Sequence, residues 1–449
     1  MKPALAVLIV LLFLPAITFA QDGDCSAVIE KTLADVMSRC GGVAPGQVCF
    51  GNPEIDFTAN RDDVVFAAPG DILALDAACC LRLGALQPPD RWGVAVMNVQ
   101  PEGATHSLIY VLFGNVEIHN AASSFSELEA RIDSDTNVYT GPGSHYDILA
   151  TVAAGDVVYV NACNCTQNWL RVRLANGAIG WMPARRATVL GEVDSLPVAA
   201  HDTPVYAAMQ AFTFRSGSQS PACPSAPESG ILIQAPPDAG EIPLWINGVE
   251  VTVSSTLFIQ AEPEGDFTIE VLDGNAVVAA NDKAMTVPAG VRASIPLSGG
   301  YQPGGPLRIE PYAATDVAHL PLGLLPEPID ALAALDNEVP RIVGQEACRV
   351  VSDRGPTACR LHFVNLDGDP IVRMVTEFVY AAQGQWEGSV RESPQILEGD
   401  SVAGVLEWKA SCSLGGANFI GPVVWSITLT DASGHVSAPF EASFNCVDG

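Results

Sequence analysis

Two stretches decide the fold at the centre of the chain: NVYTGPGSHYDILATVAAG at residues 137–155 and WLRVRLANGAIGWM at residues 169–182. In the first stretch, Gly141-Pro142-Gly143 predicts a tight turn that directs Tyr146 inward, because glycine adopts backbone conformations that other residues avoid. In the second stretch, Asn176-Gly177 is typical of the hairpin turn between two neighbouring strands. Short strands joined by tight turns predict a small barrel with few helices.

Together the two stretches resemble the bacterial SH3-like (SH3b) domain, which occurs in exported envelope proteins and beside cell-wall hydrolases. The matching features are Asn137, Gly141-Pro142-Gly143, Tyr146, Ile148, Leu149, Gly155, Trp169 and Gly180-Trp181. The resemblance implies an SH3-like barrel over residues 131–191, with cell-wall glycan or peptide as its ligand. Tyr139 stands where the family usually has arginine, so a binding role that rests on that arginine is not carried over.

The candidates for ligand binding in this barrel are Tyr139, Trp169, Arg171, Arg173 and Trp181. An aromatic ring beside a guanidinium can stack on a sugar or a peptide and hydrogen-bond to it. Strand alternation sends the apolar residues of the strand at 169–174 to one face, which predicts that Arg171, Arg173 and Tyr139 are exposed. The alternative for Tyr146, Trp169 and Trp181 is a structural role, since aromatic residues are typical of the core of so small a barrel.

The amino-terminal residues predict export. Lys2, the apolar run Leu5–Leu14 and the small residues of Thr18-Phe19-Ala20 are typical of a signal peptide over residues 1–20. No later segment is long enough to span a membrane. Because the chain has 12 cysteines, which suit an oxidising compartment, we expect a secreted, periplasmic or cell-envelope protein.

The charge balance excludes two classes of partner. The sequence has 51 acidic and 22 basic residues, and its net charge is −29. A field of this sign repels nucleic acid and anionic lipid. We therefore expect neither nucleic acid nor a membrane surface as a partner, and the oligomeric state stays open.

The length of the chain predicts several domains, because 449 residues exceed what one hydrophobic core holds. The predicted fold class is mainly β and multidomain, with an SH3-like barrel plus β-sandwich-type domains. The predicted regions are an N-terminal β-rich region with one helix (21–125), the barrel (131–191), a second β-domain (200–310), a linker rich in proline and glycine (311–340), and an immunoglobulin-like β-sandwich (341–449).

Residues 246–297 contain three glycine-bearing runs: Gly248-Val249-Glu250-Val251, Phe267–Gly274 and Val287-Pro288-Ala289-Gly290. These runs resemble the exported β-domain of FecR-type signalling proteins. The resemblance implies strand repeats with a glycine at each crossing, and only the fold is carried over, because the sequence lacks the membrane helix of such a signal transducer. A short internal echo, Val111–Asn115 against Val271–Asn275, leaves open whether the first and second β regions share a fold.

The last region contains four cysteines, for which three connectivities exist. We predict the pairs Cys348–Cys359 and Cys412–Cys446. The first eight cysteines leave either a bridge between regions or two free thiols. Cys163-Asn164-Cys165 and Cys79-Cys80 are both expected to lie in disulfides instead of metal or redox sites.

The sequence lacks the signatures of common catalytic sites. It has no His followed by Glu, no Gly-Lys-Ser/Thr, no G-x-S-x-G and no C-x-x-C. We therefore predict no catalytic residue, no metal and no cofactor. The acidic loop Asn365–Asp369 has oxygen ligands suited to calcium, but a hairpin turn is favoured because the downstream Glu of a calcium loop is missing.

The preferred function is non-catalytic binding or adhesion in the cell envelope. One alternative is a papain-like cell-wall peptidase, because Asp24-Cys25-Ser26 opens a helical stretch, where the helix dipole lowers a thiol pKa. Pro69-Gly70-Asp71-Ile72 and His106 follow in an order similar to that family. Against this alternative, Cys40 and Cys49 are natural disulfide partners for Cys25. The other alternative is a structural extracellular spacer.

Overall fold

The computed structural model describes residues 22–447, apart from residues 53–54, 60–67, 88–90, 103, 123–126, 165, 194–195, 202, 204, 218–224, 264, 282, 300, 337–338, 346–347, 352–356, 382–389, 395–402, 411, 415–416 and 419–420. The signal peptide predicted over residues 1–20 lies outside the described residues. Strands dominate the regular structure, so the prediction of a mainly β, multidomain protein is confirmed. Among the described helices, none is long and apolar enough to cross a membrane.

The described residues before the barrel form one α-helix and seven strands. They are α1 (Asp22–Cys40), β1 (Gln47–Phe50), β2 (Ile55–Ala59), β3 (Ile72–Ala74), β4 (Ala78–Leu83), β5 (Val94–Val99), β6 (Leu108–Phe113) and β7 (Val116–Asn120). Helix α1 buries one residue in each turn: Cys25, Val28, Thr32, Val36 and Cys40. This spacing gives the helix a single buried face, which packs in one cluster with Trp92 and Phe113.

The described residues from 128 to 189 form seven short antiparallel strands. They are β8 (Leu128–Ile132), β9 (Thr136–Tyr139), β10 (Ile148–Val152), β11 (Val157–Cys163), β12 (Trp169–Arg173), β13 (Ile179–Pro183) and β14 (Ala187–Val189). Their spatial order is β10-β9-β13-β12-β11-β8-β14. Small and branched side chains fill the interior, among them Val138, Val160 and Val172, so the barrel has a compact core of its own.

Eleven strands lie between the barrel and residue 311 in the described part of the chain. They are β15 (Ala211–Ser216), β16 (Gly230–Gln234), β17 (Ile242–Ile246), β18 (Val249–Val253), β19 (Thr256–Ala261), β20 (Asp266–Asp273), β21 (Asn275–Ala280), β22 (Lys283–Pro288), β23 (Val291–Ser298), β24 (Gln302–Pro303) and β25 (Arg308–Pro311). Hairpins join β17 to β18, β19 to β20, and β21 to β22.

Strands from before and after the barrel join side by side in two large sheets. The first sheet has the order β24-β23-β20-β19-β16-β6-β5-β1-β3, with β25 beside β23, and the second has the order β2-β4-β7-β15-β17-β18-β21-β22. Both chain segments contribute to one hydrophobic core, for example through Tyr110 and Phe267. The regions that the sequence analysis separates as 21–125 and 200–310 thus form one two-sheet domain. The barrel is inserted into this domain. Strand β7 precedes the barrel in the sequence and β15 follows it, and the two strands pair with each other in the second sheet.

The short sequence echo corresponds to a structural repeat. In the first copy, β5 and β6 form a hairpin in the first sheet, and the chain then crosses to the second sheet as β7. In the second copy, β19 and β20 form the equivalent hairpin, and the chain crosses as β21. The crossings occur at Gly114 and Gly274, whose φ angles are +81° and +65°. A Cβ atom would lie 2.3 Å from Ser229 Oγ at Gly114 and 2.5 Å from Ser255 Cβ at Gly274. Glycine alone meets both requirements, which explains why the echo centres on it.

The same repeat explains where the barrel is inserted. In the second copy, β21 and β22 form a hairpin whose turn includes Asn281, and β23 then pairs with β20. In the first copy, β7 and β15 take the equivalent places, and β16 then pairs with β6. The barrel therefore replaces the tight turn of one hairpin, so its two ends join adjacent strands of the second sheet.

The segment predicted as a linker, 311–340, packs against the first sheet. It contains a short helix, α2 (Ala314–Val317), and buries Tyr312, Val317, Leu320 and Leu325 in one cluster with residues of α1. The Tyr312 hydroxyl donates a hydrogen bond of 3.0 Å to the Ala331 carbonyl. The prediction of a linker is therefore wrong for this segment. Its proline and glycine residues form turns around buried apolar side chains, and composition alone does not distinguish such turns from a free linker.

The carboxy-terminal domain is of the β-sandwich type. Its strands are β26 (Arg341–Gln345), β27 (Arg349–Val351), β28 (Thr357–Val364), β29 (Ile371–Ala381), β30 (Val390–Pro394), β31 (Ala403–Ala410), β32 (Ser413–Leu414), β33 (Ala417–Asn418), β34 (Gly421–Asp431) and β35 (Phe440–Val447). The sheets β26-β28-β31 and β27-β35-β34-β29-β30 share one core. Within it, the Trp408 and Trp425 rings lie 6.2 Å apart between centroids.

Three disulfides join described residues: Cys40–Cys49, Cys348–Cys359 and Cys412–Cys446. The last two are the pairs that the sequence analysis prefers. Cys25 is also disulfide-bonded, but its partner is neither Cys40 nor Cys49, because these two bond to each other. The sulfur atoms therefore link α1 to β1 and fasten the carboxy-terminal sandwich.

The adjacent residues Cys79 and Cys80 are thiols, contrary to the expectation that they lie in disulfides. A bulge in the β2–β4 pairing interrupts strand alternation at this point, and both side chains are half-buried between the buried Ala78 and Leu81. The two thiols hydrogen-bond to each other, which is the main reason that the pKa of Cys79 is raised. For Cys163-Asn164-Cys165, residue 165 lies outside the described part of the chain.

Candidate functional site

Strand register places all five predicted binding residues on one side of the barrel, because Arg173 follows Arg171 by two positions on β12. Tyr139 of β9 lies opposite Trp181 of β13, and Trp181 lies opposite Arg171 of β12. Residues directly opposite each other project to the same side of a sheet. Trp169 precedes Arg171 by two positions and so shares that side. We call Tyr139, Trp169, Arg171 and Trp181 the aromatic face.

Tyr139 and Trp169 form the accessible part of the aromatic face. Their ring centroids lie 5.6 Å apart, and their planes are inclined by 79°. Both side chains are half-buried, so each ring keeps surface that a ligand can contact. An edge-to-face aromatic pair is a favourable and rigid arrangement. The two rings therefore form a fixed apolar step on the surface of the barrel.

Trp181 and Arg171 form the buried floor of the aromatic face. They are only 2% and 3% exposed, and the Arg171 guanidinium carbon lies 6.0 Å from the Trp181 ring centroid. Arg171 Nε donates to Asn161 Oδ1 at 2.9 Å, and its Nη1 donates to the Thr203 carbonyl at 2.8 Å. Burial lowers the pKa of Arg171. The guanidinium is engaged with the protein, so it orients its neighbours instead of offering its donors to a ligand.

The expectation that Arg171 is exposed is wrong, because a segment of chain covers this side of β12. We call residues 196–201 and 203 the strap. The strap pairs with the end of β11: Cys163 N donates to the Pro197 carbonyl at 3.0 Å, and Ala199 N donates back to the Cys163 carbonyl at 2.9 Å. Ala199 packs with Trp181 in a small apolar cluster. Alternation along one strand contains no information about a distant segment that covers it.

Arg173 has a different role from the aromatic face. Its Nη1 donates to Glu102 Oε2 at 2.6 Å, and its Nε donates to Glu127 Oε1 at 2.8 Å. Glu102 belongs to the two-sheet domain, in the connection between β5 and β6. The guanidinium therefore connects the barrel to the domain into which it is inserted.

Tyr146 extends the aromatic surface toward the strap. The turn at Gly141-Pro142-Gly143 requires glycine because the Tyr146 ring packs directly against it. A Cβ atom at Gly141 would lie 2.6 Å from that ring. The Tyr146 ring is half-buried and lies between His145, at a centroid distance of 4.3 Å, and His201 of the strap, at 5.4 Å. Sequence reasoning missed both histidines, because His201 reaches this place only through the strap.

A polar loop borders the aromatic face on the side of Trp169. Asn164 Nδ2 donates to Asn168 Oδ1 at 2.8 Å and to Thr166 Oγ1 at 2.9 Å. Asn164 Oδ1 accepts hydrogen bonds from the backbone N–H groups of Asn168 and Trp169, each at 3.0 Å. This network fixes the backbone of Trp169 and places exposed amide and hydroxyl groups beside its ring.

Apolar side chains border the aromatic face on its other edge. Ile148 begins the edge strand β10 and pairs with Tyr139. Ile148 and its neighbour Leu149 are 60% and 42% exposed. These residues belong to the SH3-like pattern, yet they do not fill the barrel core. Because Ile148 lies opposite Tyr139, its side chain adds apolar surface next to that ring.

Comparison with known families supports the assignment of the barrel. Residues 133–187 match the family described as bacterial SH3 domain, so the chain contains a barrel of this class. No curated protein matches the chain. No comparison supports the FecR-type resemblance, and for residues 246–297 the structure establishes only the two-sheet arrangement described above.

Among solved structures, the chain is similar to the native conformation of Escherichia coli alpha-2-macroglobulin, determined by cryo-electron microscopy. The identity is 10%, and the match covers 90% of this chain and 31% of that chain, with a TM-score of 0.18. The chain thus spans about a third of the length of that protein. At this TM-score the likeness carries no argument about fold or function.

Proposed function

We propose that the chain is a non-catalytic binding or adhesion protein of the cell envelope, whose barrel binds cell-wall glycan or peptide at the aromatic face. The observation that carries this proposal is the fixed edge-to-face pair of Tyr139 and Trp169. Aromatic surfaces bind the apolar faces of sugars and peptides, while neighbouring amides and hydroxyls bind their polar groups. The loop of Asn164, Thr166 and Asn168 supplies such polar groups beside Trp169.

Two features support a place outside the cytoplasm. The barrel matches a bacterial family whose members we associate with the envelope, and three disulfides join described cysteines. Disulfides persist mainly in oxidising compartments. The net charge of −29 favours a neutral or cationic ligand, because a strongly anionic polymer would be repelled.

The state of Cys25 favours binding over the peptidase alternative. A thiol peptidase requires a thiolate nucleophile that is accessible to substrate. Cys25 is fully buried and disulfide-bonded, so its sulfur has neither property. A thiol-reactivity assay on the folded protein tests this point: we expect no modification of Cys25, and a reactive Cys25 would restore the peptidase alternative.

A sedimentation assay with purified, insoluble peptidoglycan separates a binder from a structural spacer. We expect the wild-type chain to be retained and the double variant Tyr139→Ala with Trp169→Ala to lose at least tenfold in affinity. The matched control is Trp245→Ala, which removes an aromatic ring that is 40% exposed in the second sheet. If the wild-type protein is not retained, the binding proposal fails and the spacer is favoured.

A further inference from the structure

Two turns meet at one end of the carboxy-terminal sandwich. The first, residues 365–369, follows β28, and the second, residues 431–435, follows β34. They are adjacent because Ile371 pairs with Asp431, and Ala432 N donates to the Pro370 carbonyl at 3.0 Å. The sequence pattern indicates only the first turn, since nothing in the local sequence places the second turn beside it.

Two carboxylates and an imidazole converge where these turns meet. His435 Nδ1 lies 3.1 Å from Asp431 Oδ2 and 3.5 Å from Asp367 Oδ2. One ligand atom from each of the three residues lies within 4.8 Å of the others. Asp431 is buried, and Asp367 comes from the facing turn. The group therefore combines an enclosed carboxylate with side chains that a small ion can reach.

The spacing of these atoms fits a small divalent cation. Zinc binds imidazole nitrogen and carboxylate oxygen at about 2.0–2.2 Å, so two ligands of one zinc ion stand about 3.0–3.5 Å apart at octahedral to tetrahedral angles. Both distances from His435 Nδ1 fall in this interval. A mixed set of imidazole and carboxylate favours zinc over calcium, which takes oxygen ligands only.

A buried amide in the first turn is a second, independent sign of a ligand. Asn365 is fully buried, and its Nδ2 donates to the Asp369 carbonyl at 2.8 Å, across the turn that contains Asp367. Its Oδ1 is buried as well, and it has no hydrogen-bond partner among the described residues. A buried acceptor without a partner is destabilising, and a cation bound beside it would supply the missing partner.

Backbone hydrogen bonds hold the ligand side chains in place. Asp431 Oδ1 accepts from His435 N at 2.8 Å, which leaves Oδ2 directed at the imidazole. Asp367 Oδ1 accepts from Asp369 N at 2.8 Å, which leaves its Oδ2 as the atom near His435. The Ser433 hydroxyl donates to Asp369 and connects the two turns. Ligands that are oriented in this way bind a metal with little reorganisation.

We propose that Asp367, Asp431 and His435 bind a divalent zinc ion, with Asn365 Oδ1 as an additional oxygen donor from the same turn. The ion links the β28–β29 connection to the β34–β35 connection and so stabilises one end of the carboxy-terminal sandwich. This role is structural, and it does not depend on ligand binding by the barrel.

The test is equilibrium dialysis of the full exported chain against zinc, after removal of metal with a chelator and alkylation of free thiols. We expect about one tightly bound zinc ion per chain, and at least tenfold weaker binding for Asp367→Asn and for His435→Ala. The matched controls are Asp238→Asn and His319→Ala, whose exposed side chains lie in other parts of the chain. Both controls should bind zinc as the wild-type protein does.

Near-ultraviolet circular dichroism of the packed Trp408 and Trp425 rings reports whether each variant retains its sandwich. A folded His435→Ala variant that loses zinc supports the site. Zinc binding that survives both substitutions, stoichiometric calcium binding in preference to zinc, or no stoichiometric binding at all would each overturn the proposal.

Discussion

The ring of Tyr139 meets the ring of Trp169 edge to face across the outer side of the barrel, with centroids 5.6 Å apart. Tyr139 lies on β9 and Trp169 on β12, and Trp181 on the strand between them packs below. The position of both half-buried rings therefore depends on a buried layer made by Trp181 and Arg171. Substitutions in this buried layer should therefore disturb the aromatic face.

Replacing Arg171 by Met removes its hydrogen bonds to Asn161 and to the strap at Thr203. We expect a loss of about 2–3 kcal/mol in the free energy of unfolding, because hydrogen bonds to a charged group contribute about 1.5–3 kcal/mol and their buried partners are left unsatisfied. Urea denaturation measures the change. The control is Arg131→Met, on the exposed side of β8, which should change stability by less than about 0.5 kcal/mol. Equal effects of the two substitutions would mean that the strap does not depend on Arg171.

The carboxyl of Glu270 predicts a pH dependence in the two-sheet domain. Burial raises its pKa from 4.5 to about 7, although Arg292 Nε donates to it at 2.7 Å. Because the folded-state pKa exceeds the unfolded value, the contribution of this group to stability is complete below pH 4.5. It is lost as the pH rises to about 7, and the rise in pKa corresponds to about 3 kcal/mol.

Unfolding of the wild-type protein and of Glu270→Gln between pH 4.5 and pH 8 measures this contribution. The stability of the variant relative to wild type should rise with pH through this interval and level off above pH 7. Glu129→Gln, an exposed carboxyl on β8, serves as the control and should show no such trend. Parallel curves for wild type and Glu270→Gln would contradict the assigned pKa.

The structural repeat predicts matching sensitivities at Gly114 and Gly274. At both positions alanine would have to adopt a positive φ angle, and its Cβ atom would lie within 3 Å of a serine side chain. We expect each substitution to lower the free energy of unfolding by about 2 kcal/mol or more, from strain and steric overlap together. The control is Gly240→Ala, where φ is +69° but a Cβ atom meets nothing within 4 Å, so only strain of about 1 kcal/mol applies. A large effect at only one of the two crossings would argue against the repeat.

Local sequence was sufficient for the barrel and for the carboxy-terminal disulfides. The turn at Gly141-Pro142-Gly143 and the hairpin at Asn176-Gly177 connect residues that are close along the chain, so the pattern contains their geometry. Cys348 and Cys359 are separated by 11 residues, and Cys412 and Cys446, separated by 34, are the two cysteines that remain in the same region. In these cases spacing within one region and the final contact coincide.

Contacts between distant segments were not predictable in this way. The pairing of β7 with β15 joins strands on either side of the barrel, and no residue near Asn120 signals that its partner is Phe212. The burial of Arg171 depends on the strap, and the meeting of Asp367 with His435 depends on the pairing of β29 with β34. Strand alternation and turn motifs describe one segment at a time, so they contain none of this information.

The proposed function requires that Trp169 and Tyr139 contact a cell-wall ligand. Fluorine NMR of the chain labelled with fluorotryptophan detects this contact, with Trp169 assigned through Trp169→Phe and the buried Trp425 as an internal reference. On titration with soluble peptidoglycan fragments, we expect the Trp169 resonance to shift in a saturable manner while that of Trp425 stays in place. If the fragments leave the Trp169 resonance unchanged, whether they bind elsewhere or do not bind, the aromatic face is not the binding site.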